Sequence, residues 1–152
     1  MSVSQRLTEL GIELPAVAAP VAAYVPAVVH EGLVYTSGQL PFTAGELPAT
    51  GKVGAEISAE DANSYARTCA LNALAAASDA AGGVDRIAGV LRLGGFVAST
   101  PDFTGQPGVI NGASLVLGEI FGDAGRHVRA AVGVPVLPLD SPVEVEVTFI
   151  LA

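Results

Sequence analysis

The feature that most constrains the fold is a pair of strand patterns close to the C-terminus. Residues 143–151 alternate, so that the odd-numbered positions are all apolar while Glu144 and Glu146 lie on the opposite face. Residues 128–136 form a second apolar run, rich in Val and Ala. The segment 137–142 between them contains two prolines, which cannot donate to a strand ladder, and this predicts a turn.

Two charged side chains in these patterns, Arg129 and Glu144, are candidate functional residues. A charge set among Val and Ala costs free energy unless it is paired or binds a ligand. Arg129 shares a strand face with His127 and Ala131. If the strands form a simple hairpin, Arg129 lies about six residue pairs, roughly 20 Å, from Glu144. The two side chains would then share one small site only across a boundary between subunits.

The composition limits the size and the class of the protein. The 152 residues predict one domain, residues 1–152, with a substantial core. Hydrophobic residues make up 51% of the chain and charged residues only 14%, which indicates that apolar surface is buried against further copies. The net charge of −8 and the scattered positions of the seven Lys and Arg residues disfavour a nucleic-acid partner.

The cellular location is predicted from the cysteine content and the apolar runs. Cys69 is the single cysteine, so no internal disulfide forms and a reducing compartment is expected. Residues 1–6 carry no apolar leader pattern, and no apolar run reaches the ~20 residues that span a membrane. These features predict a cytoplasmic protein without a membrane partner.

The remaining periodicities predict an α+β fold. The clearest helix covers residues 58–81, with Ser58 as its N-cap and an Ala-rich stripe suited to close packing on a sheet. The other elements are a short helix at 4–10, strands at 23–29 and 33–37 joined by a turn at 30–32, a strand at 87–99 bulged at Gly94-Gly95, a helix at 111–121, and loops at 42–53 and 100–109. Together they predict one sheet with the two larger helices on one face.

Several residue types that often carry chemistry have a simpler explanation here. Cys69 falls on the apolar stripe of the long helix, where a thiol is usually an inert core residue and not a nucleophile. His30 and His127 lie in no metal-ligand spacing, so no metal is expected. The chain contains no phosphate-binding glycine motif, and no cofactor is expected.

The polar candidates each allow two interpretations. Arg129 has a planar fork that fits a carboxylate, or it is a solvated or salt-bridged strand residue. Glu144 and Glu146 either hold a water for attack on an electrophilic carbon or form the solvated face of an edge strand. Three further residues lie at element ends, where they bind a polar ligand or act as local caps: Tyr24, Ser37 and Asn111.

A series of short motifs spans nearly the whole chain, from about Leu14 to Leu151. In order they are YVPAV at 24–28, LVYTSGQLP at 33–41, GFVAS at 95–99, Asp102-Phe103 followed by Asn111, RAAVGV at 129–134 and VEVE at 143–146. In this order and spacing they resemble the RidA/YjgF family, the reactive intermediate (enamine/imine) deaminases. Members of that family have also been called L-PSP endoribonuclease-like proteins.

The resemblance implies a chorismate-mutase-like fold and a homotrimer with clefts between subunits. It implies hydrolysis of enamine or imine intermediates of the 2-aminoacrylate type, released by pyridoxal-phosphate enzymes, to 2-keto acids and ammonia. Arg129 matches the arginine that grips the substrate carboxylate, and Glu144 matches the glutamate that positions the attacking water. The matching positions that line the cleft are Tyr24, Ser37, Gly38 and Asn111. An imine is already electrophilic, so orientation and one held water suffice without a cofactor.

Three departures from the family pattern leave the substrate of this branch open. Ala131 stands two residues after the substrate arginine, where the family often has Cys. The loop at 104–109 is longer, and residues 1–13 form an N-terminal extension. Two other functions also stay open: a trimer that binds a small carboxylate or 2-keto acid without turnover, and an endoribonuclease, which the acidic charge disfavours.

Overall fold

The computed structural model describes residues 1–17, 19 and 23–152. Within these residues the helices and strands are, in order, α1 (Val3–Leu10), β1 (Ala27–His30), β2 (Leu33–Thr36), α2 (Ala59–Ala81), β3 (Ile87–Ala98), α3 (Gln106–Phe121), β4 (Val128–Val134) and β5 (Val143–Leu151). No helix in the described part of the chain is both long and apolar enough to cross a membrane.

The five strands form one mixed sheet in the order β1-β2-β5-β3-β4. The first three neighbouring pairs in this order are antiparallel, and the last pair, β3 and β4, is parallel. The β1–β2 turn uses left-handed backbone at Glu31 and Gly32, as expected for the tight turn predicted there. Helices α2 and α3 pack on one face of the sheet, here called the helix face, which confirms the predicted fold class. The opposite face is called the open face.

Helix α2 and the sheet form the core as the sequence predicts. The Ser58 hydroxyl caps α2 by accepting a hydrogen bond from the Asp61 N–H at 3.0 Å. The odd-numbered residues of β5 from Val143 to Phe149 are buried on the helix face, and Glu144 lies on the open face. Cys69 is fully buried in this core, and burial raises the pKa of its thiol, which is the expected environment of an inert cysteine.

The predicted hairpin between the last two strands is wrong. Strand β3 lies between β4 and β5, so that Leu93 is opposite Arg129 on one side and opposite Val147 on the other. Strand β4 follows β3 through the crossover helix α3, a connection that produces parallel pairing. Alternation in a sequence determines which residues share a strand face, but it carries no information on which strand is the neighbour.

Two element starts and the position of one irregularity differ clearly from the predicted ones. Helix α3 begins at Gln106 and not at residue 111, because Pro107 is tolerated in a first helical turn, and the loop at 100–109 is correspondingly shorter. Strand β1 begins at Ala27, since residues 23–26 form bends. The irregularities of β3 fall between Ile87 and Arg92, and not at the predicted Gly94-Gly95 position.

The glycines predicted to form a bulge instead allow close packing. A Cβ on Gly95 would lie 2.6 Å from the Ile110 side chain of α3. Helices α2 and α3 also touch through their backbones, because a Cβ on Gly112 would lie 1.9 Å from the Asn63 carbonyl oxygen. Asn63 Nδ2 in turn donates to the Gly108 carbonyl at 2.9 Å. Helix α3 is therefore fixed against both the sheet and α2.

Candidate functional site

Arg129 extends from the helix face of β4 toward α3, where two hydrogen bonds hold it. Nη1 donates to the Ser114 hydroxyl at 3.0 Å, and Nη2 donates to the Pro107 carbonyl at 3.1 Å. Among the described residues no carboxylate lies within ion-pair distance of the guanidinium. Two of its five N–H donors are used by neutral acceptors, so donors remain for a bound anion.

A histidine extends this arrangement beyond Ser114. His127 Nε2 lies 2.9 Å from Ser114 Oγ, and His127 Nδ1 lies 2.6 Å from the Gly125 carbonyl oxygen. The sequence indicated that His127 shares a strand face with Arg129, but it gave no reason to add Ser114. The signal for Ser114 is its position one helical turn after Asn111.

Asn111 belongs to the same surface of α3. It lies four residues after Pro107 and three before Ser114, so the three residues share one helix face. Asn111 is exposed, within a helix and not at its start as the sequence predicted. The first turn of α3 contains no acidic residue, and Gly105 supplies no side-chain cap, which leaves this helix end electropositive. The arginine half-site consists of Arg129, Ser114, His127, Pro107 and Asn111.

Glu144 lies on the open face against Gly38. A Cβ on residue 38 would be 2.0 Å from Glu144 Oε1, so glycine is required by the close approach of this carboxylate.

The chain bulges between Thr36 and Gln39, just after the end of β2, where it has one more residue than the facing part of β5. Tyr35 pairs with Thr148, and Gln39 pairs with Val145. Four steps along the first strand therefore correspond to only three along β5. The Thr36 hydroxyl accepts the Val147 N–H at 3.0 Å and fills the interrupted ladder.

Ser37 ties this bulge to the segment before β1. Its hydroxyl donates to the Val25 carbonyl at 2.7 Å, and its N–H donates to the Pro26 carbonyl at 2.8 Å. Tyr24, which is 43% exposed, directly precedes Val25 in the segment that Ser37 holds. The glutamate half-site consists of Glu144, Gly38, Ser37 and Tyr24.

The Glu144 carboxylate is in an environment that disfavours its charge. Burial, and secondarily the negative charge of Glu146, raise the pKa of Glu144 above its ordinary value. Glu146 lies 3.6 Å from Arg92 Nη1, whereas Glu144 has no cationic partner within the described residues. A carboxylate with a raised pKa is suited to exchanging a proton near neutral pH.

The two half-sites do not meet within one chain. Arg129 lies on the helix face and Glu144 on the open face. Their positions along β3 are those of Leu93 and Phe96, three residues apart, and β3 itself separates their strands. The separation is about 10 Å along the strands and about 10 Å across them. Each half-site carries a charge that has no charged partner in the described part of the chain.

A separate cavity of about 640 Å³ contains none of these residues. It is mainly apolar and is lined by Pro15, Ala16, Val17, Ala19, Phe42, Ala44, Gly45 and Asn72. The residues that the structure describes contain no group of three or more His, Cys, Asp or Glu placed to hold a metal ion.

Comparisons with known proteins agree with this fold. Residues 4–150 match the family model described as YjgF/chorismate mutase-like, a description that also carries the name endoribonuclease. Protein TCP17 of Trypanosoma cruzi is 42% identical over 145 residues, which cover 95% of this chain and 91% of TCP17. The chain therefore belongs to the YjgF/chorismate mutase-like family.

Solved structures of two relatives have the same fold. Atu1372 of Agrobacterium tumefaciens, whose function is unknown, is 41% identical with a TM-score of 0.90, covering 99% of this chain and 92% of that one. Escherichia coli TdcF, solved with bound serine, is 26% identical with a TM-score of 0.64, covering 90% of this chain and 94% of that one.

Proposed function

We propose that this protein hydrolyses reactive enamine or imine intermediates of small 2-amino acids to 2-keto acids and ammonia. The observation that carries this proposal is the state of Arg129. Its guanidinium is held by neutral acceptors and has no acidic partner in the described residues, as a carboxylate-binding arginine requires. The structure of TdcF with bound serine supports a ligand of this size and chemistry.

The half-sites suit the two requirements of the reaction. The remaining N–H donors of Arg129 bind the substrate carboxylate and orient the adjacent C2 carbon. Glu144 accepts a proton from water as the water oxygen bonds to C2 and the C=N electron pair moves to nitrogen. Protonated Glu144 then returns that proton to the nitrogen, so that C2 carries a hydroxyl and an amino group. Glu144 next takes the hydroxyl proton and passes it to the amino nitrogen as the C–N bond breaks, so ammonia departs and the C2–O bond becomes the keto group. The raised pKa of Glu144 favours these proton transfers.

We propose that the complete site forms between subunits of a homotrimer, with the arginine half-site of one subunit facing the glutamate half-site of the next. The separation of Arg129 and Glu144 within one chain supports this assembly. The open face also carries exposed apolar side chains, and a further copy of the chain would bury them. They are Val28, Tyr35, Val128, Val132 and Ile150. Because pyridoxal-phosphate enzymes release such intermediates inside cells, we also place the protein in the cytoplasm.

The test is to generate 2-aminoacrylate with a serine or threonine dehydratase and to follow keto-acid release. We expect the protein to accelerate release, and Arg129→Ala to abolish the acceleration. Arg126→Ala is the matched control, since Arg126 is exposed and forms an ion pair with Asp123, three residues earlier. Release at the spontaneous rate with trimeric protein would count against deamination.

A second candidate function is binding of a small carboxylate or 2-keto acid without turnover. The same open guanidinium of Arg129 favours it, and Glu144 is then dispensable. Binding of 2-ketobutyrate that is unchanged in Glu144→Gln, with no turnover by the parent protein, would establish it.

The family description also carries the name endoribonuclease, but the net charge of −8 opposes RNA binding. Any RNA cleavage is expected to disappear on further purification.

A further inference from the structure

The hydrogen bonds around Ser114 run in one direction. A backbone carbonyl accepts but never donates, so the bond to the Gly125 oxygen places the proton of a neutral His127 on Nδ1. Nε2 is then an acceptor and receives the Ser114 O–H. With its proton directed at His127, Ser114 Oγ presents a lone pair to Arg129 Nη1. Each group in the chain from Gly125 to Arg129 therefore has one defined role.

We propose that Ser114 and His127 are positioning residues that fix the Arg129 guanidinium for ligand binding, an inference that rests on the proposed function of Arg129. The Nη1 bond to Ser114 and the Nη2 bond to Pro107 both lead to α3, so this helix sets the plane of the guanidinium. A free arginine side chain loses rotamer entropy when it binds a ligand, whereas a preorganised one has already lost it.

His127 acts one step further away, by fixing the Ser114 hydroxyl. A serine proton rotates to suit its surroundings, and a Ser114 without His127 would be free to direct it elsewhere. Gly125 is buried, and a Cβ on it would lie 2.7 Å from the Leu117 carbonyl oxygen. The carbonyl that orients His127 is therefore itself held against α3. The network thus joins the end of α3 to the start of β4.

The first test measures the mobility of the Arg129 guanidinium without any ligand, by NMR of the labelled protein. Only His30 and His127 contribute imidazole signals, and His127 is expected as the Nδ1–H tautomer with exposed His30 as the internal reference. Because its hydrogen bonds hinder rotation of the guanidinium, we expect separate NMR signals for the Nη groups of Arg129. These signals are assigned by their absence from the spectrum of Arg129→Lys. In Ser114→Ala the guanidinium should rotate freely, so that these signals average. The signals should stay separate in Ser114→Thr, which keeps the hydroxyl, and in the control Ser64→Ala on the exposed face of α2.

The second test titrates 2-ketobutyrate into the same variants. Loss of a hydrogen bond to a charged group is expected to raise Kd about 10-fold or more in Ser114→Ala. His127→Gln, which keeps an acceptor near the Nε2 position, should bind better than His127→Ala. In the turnover assay KM should rise more than kcat falls.

The outcomes separate the two proposals. Averaged Arg129 signals in Ser114→Ala, with no binding of 2-ketobutyrate by the parent protein, would support the fixing of the guanidinium by Ser114 and count against the carboxylate ligand that the proposed function requires. Binding by the parent with Arg129 signals and Kd unchanged in Ser114→Ala and His127→Ala would overturn the positioning role alone.

Discussion

Glu144 and Gly38 are in such close contact that residue 38 has no room for a side chain: a Cβ there would lie 2.0 Å from Glu144 Oε1. Gly38→Ala is therefore expected to displace the carboxylate and to lower kcat at least about 10-fold, as misplaced catalytic groups commonly do. Because the obstructing atom ends a flexible, half-buried side chain, the unfolding midpoint should change little.

A double-mutant cycle shows whether the Gly38 effect acts through Glu144. Once Glu144→Gln has removed the carboxylate, adding Gly38→Ala should lower the residual rate by much less than it lowers the parent rate. Steady-state assays of the four proteins measure this. If the two substitutions lower the rate by independent factors that multiply, Gly38 acts on the site by a route other than Glu144.

Glu146 provides a prediction on pH. Its negative charge contributes to the raised pKa of Glu144, so Glu146→Gln should lower that pKa. In the proposed mechanism Glu144 acts as the ionised base, so the rate is expected to fall in acid as Glu144 gains a proton. Glu146→Gln should move this acidic limb of the pH profile to lower pH. The measurement is kcat/KM against pH. Glu31→Gln, in the exposed β1–β2 turn, serves as the control and should leave the limb in place.

Mixed assemblies test whether one site draws on two subunits. Arg129→Ala and Glu144→Gln chains should each be inactive alone. After the two are unfolded together and refolded as trimers in equal amounts, about one quarter of the interfaces should combine an intact arginine half-site with an intact glutamate half-site. We expect about that fraction of the parent activity. A mixture as inactive as its components would place both residues of each site in one subunit.

The contact between α2 and α3 gives a prediction on stability. Gly112→Val would force a side chain into the backbone of Asn63, and overpacking of this kind typically costs about 1–3 kcal/mol of unfolding free energy. Gly118→Ala, in the same helix with open space around it, should instead stabilise by about 0.5–1 kcal/mol. Urea unfolding of both variants checks this. Equal stability of Gly112→Val and the parent would contradict the close helix contact.

Local patterns predicted most of the helices and strands because each depends on nearby residues. The bounds of β5, the cap at Ser58 and the burial of Cys69 follow from alternation, capping and helical spacing, and all agree with the structure. Pairing was not predicted, because the insertion of β3 between β4 and β5 depends on the path of the crossover helix. The start of α3 was missed because Pro107 and Gly108 suggest a loop when read without their tertiary contacts.

The candidate site was predicted in part for the same reason. Arg129 and Glu144 stand out as charges on apolar strands, and the spacing of motifs directs attention to Gly38 and Asn111. The hydrogen bonds from Arg129 to Ser114 and from Ser114 to His127 join residues on separate elements, 15 and 13 positions apart. Only the packing of α3 on β4 reveals them.

The placement of β3 between the two half-sites has an evolutionary consequence. In the proposed mechanism, the arginine half-site that would bind the acid group of the substrate is encoded by residues 107–129, and the glutamate half-site that would supply the base is encoded by residues 24–38 and 144. Substitutions in one segment would then change which metabolite is bound while the other half-site is inherited unchanged. A lineage that loses Glu144 but keeps the arginine half-site would become a sensor of the same compounds.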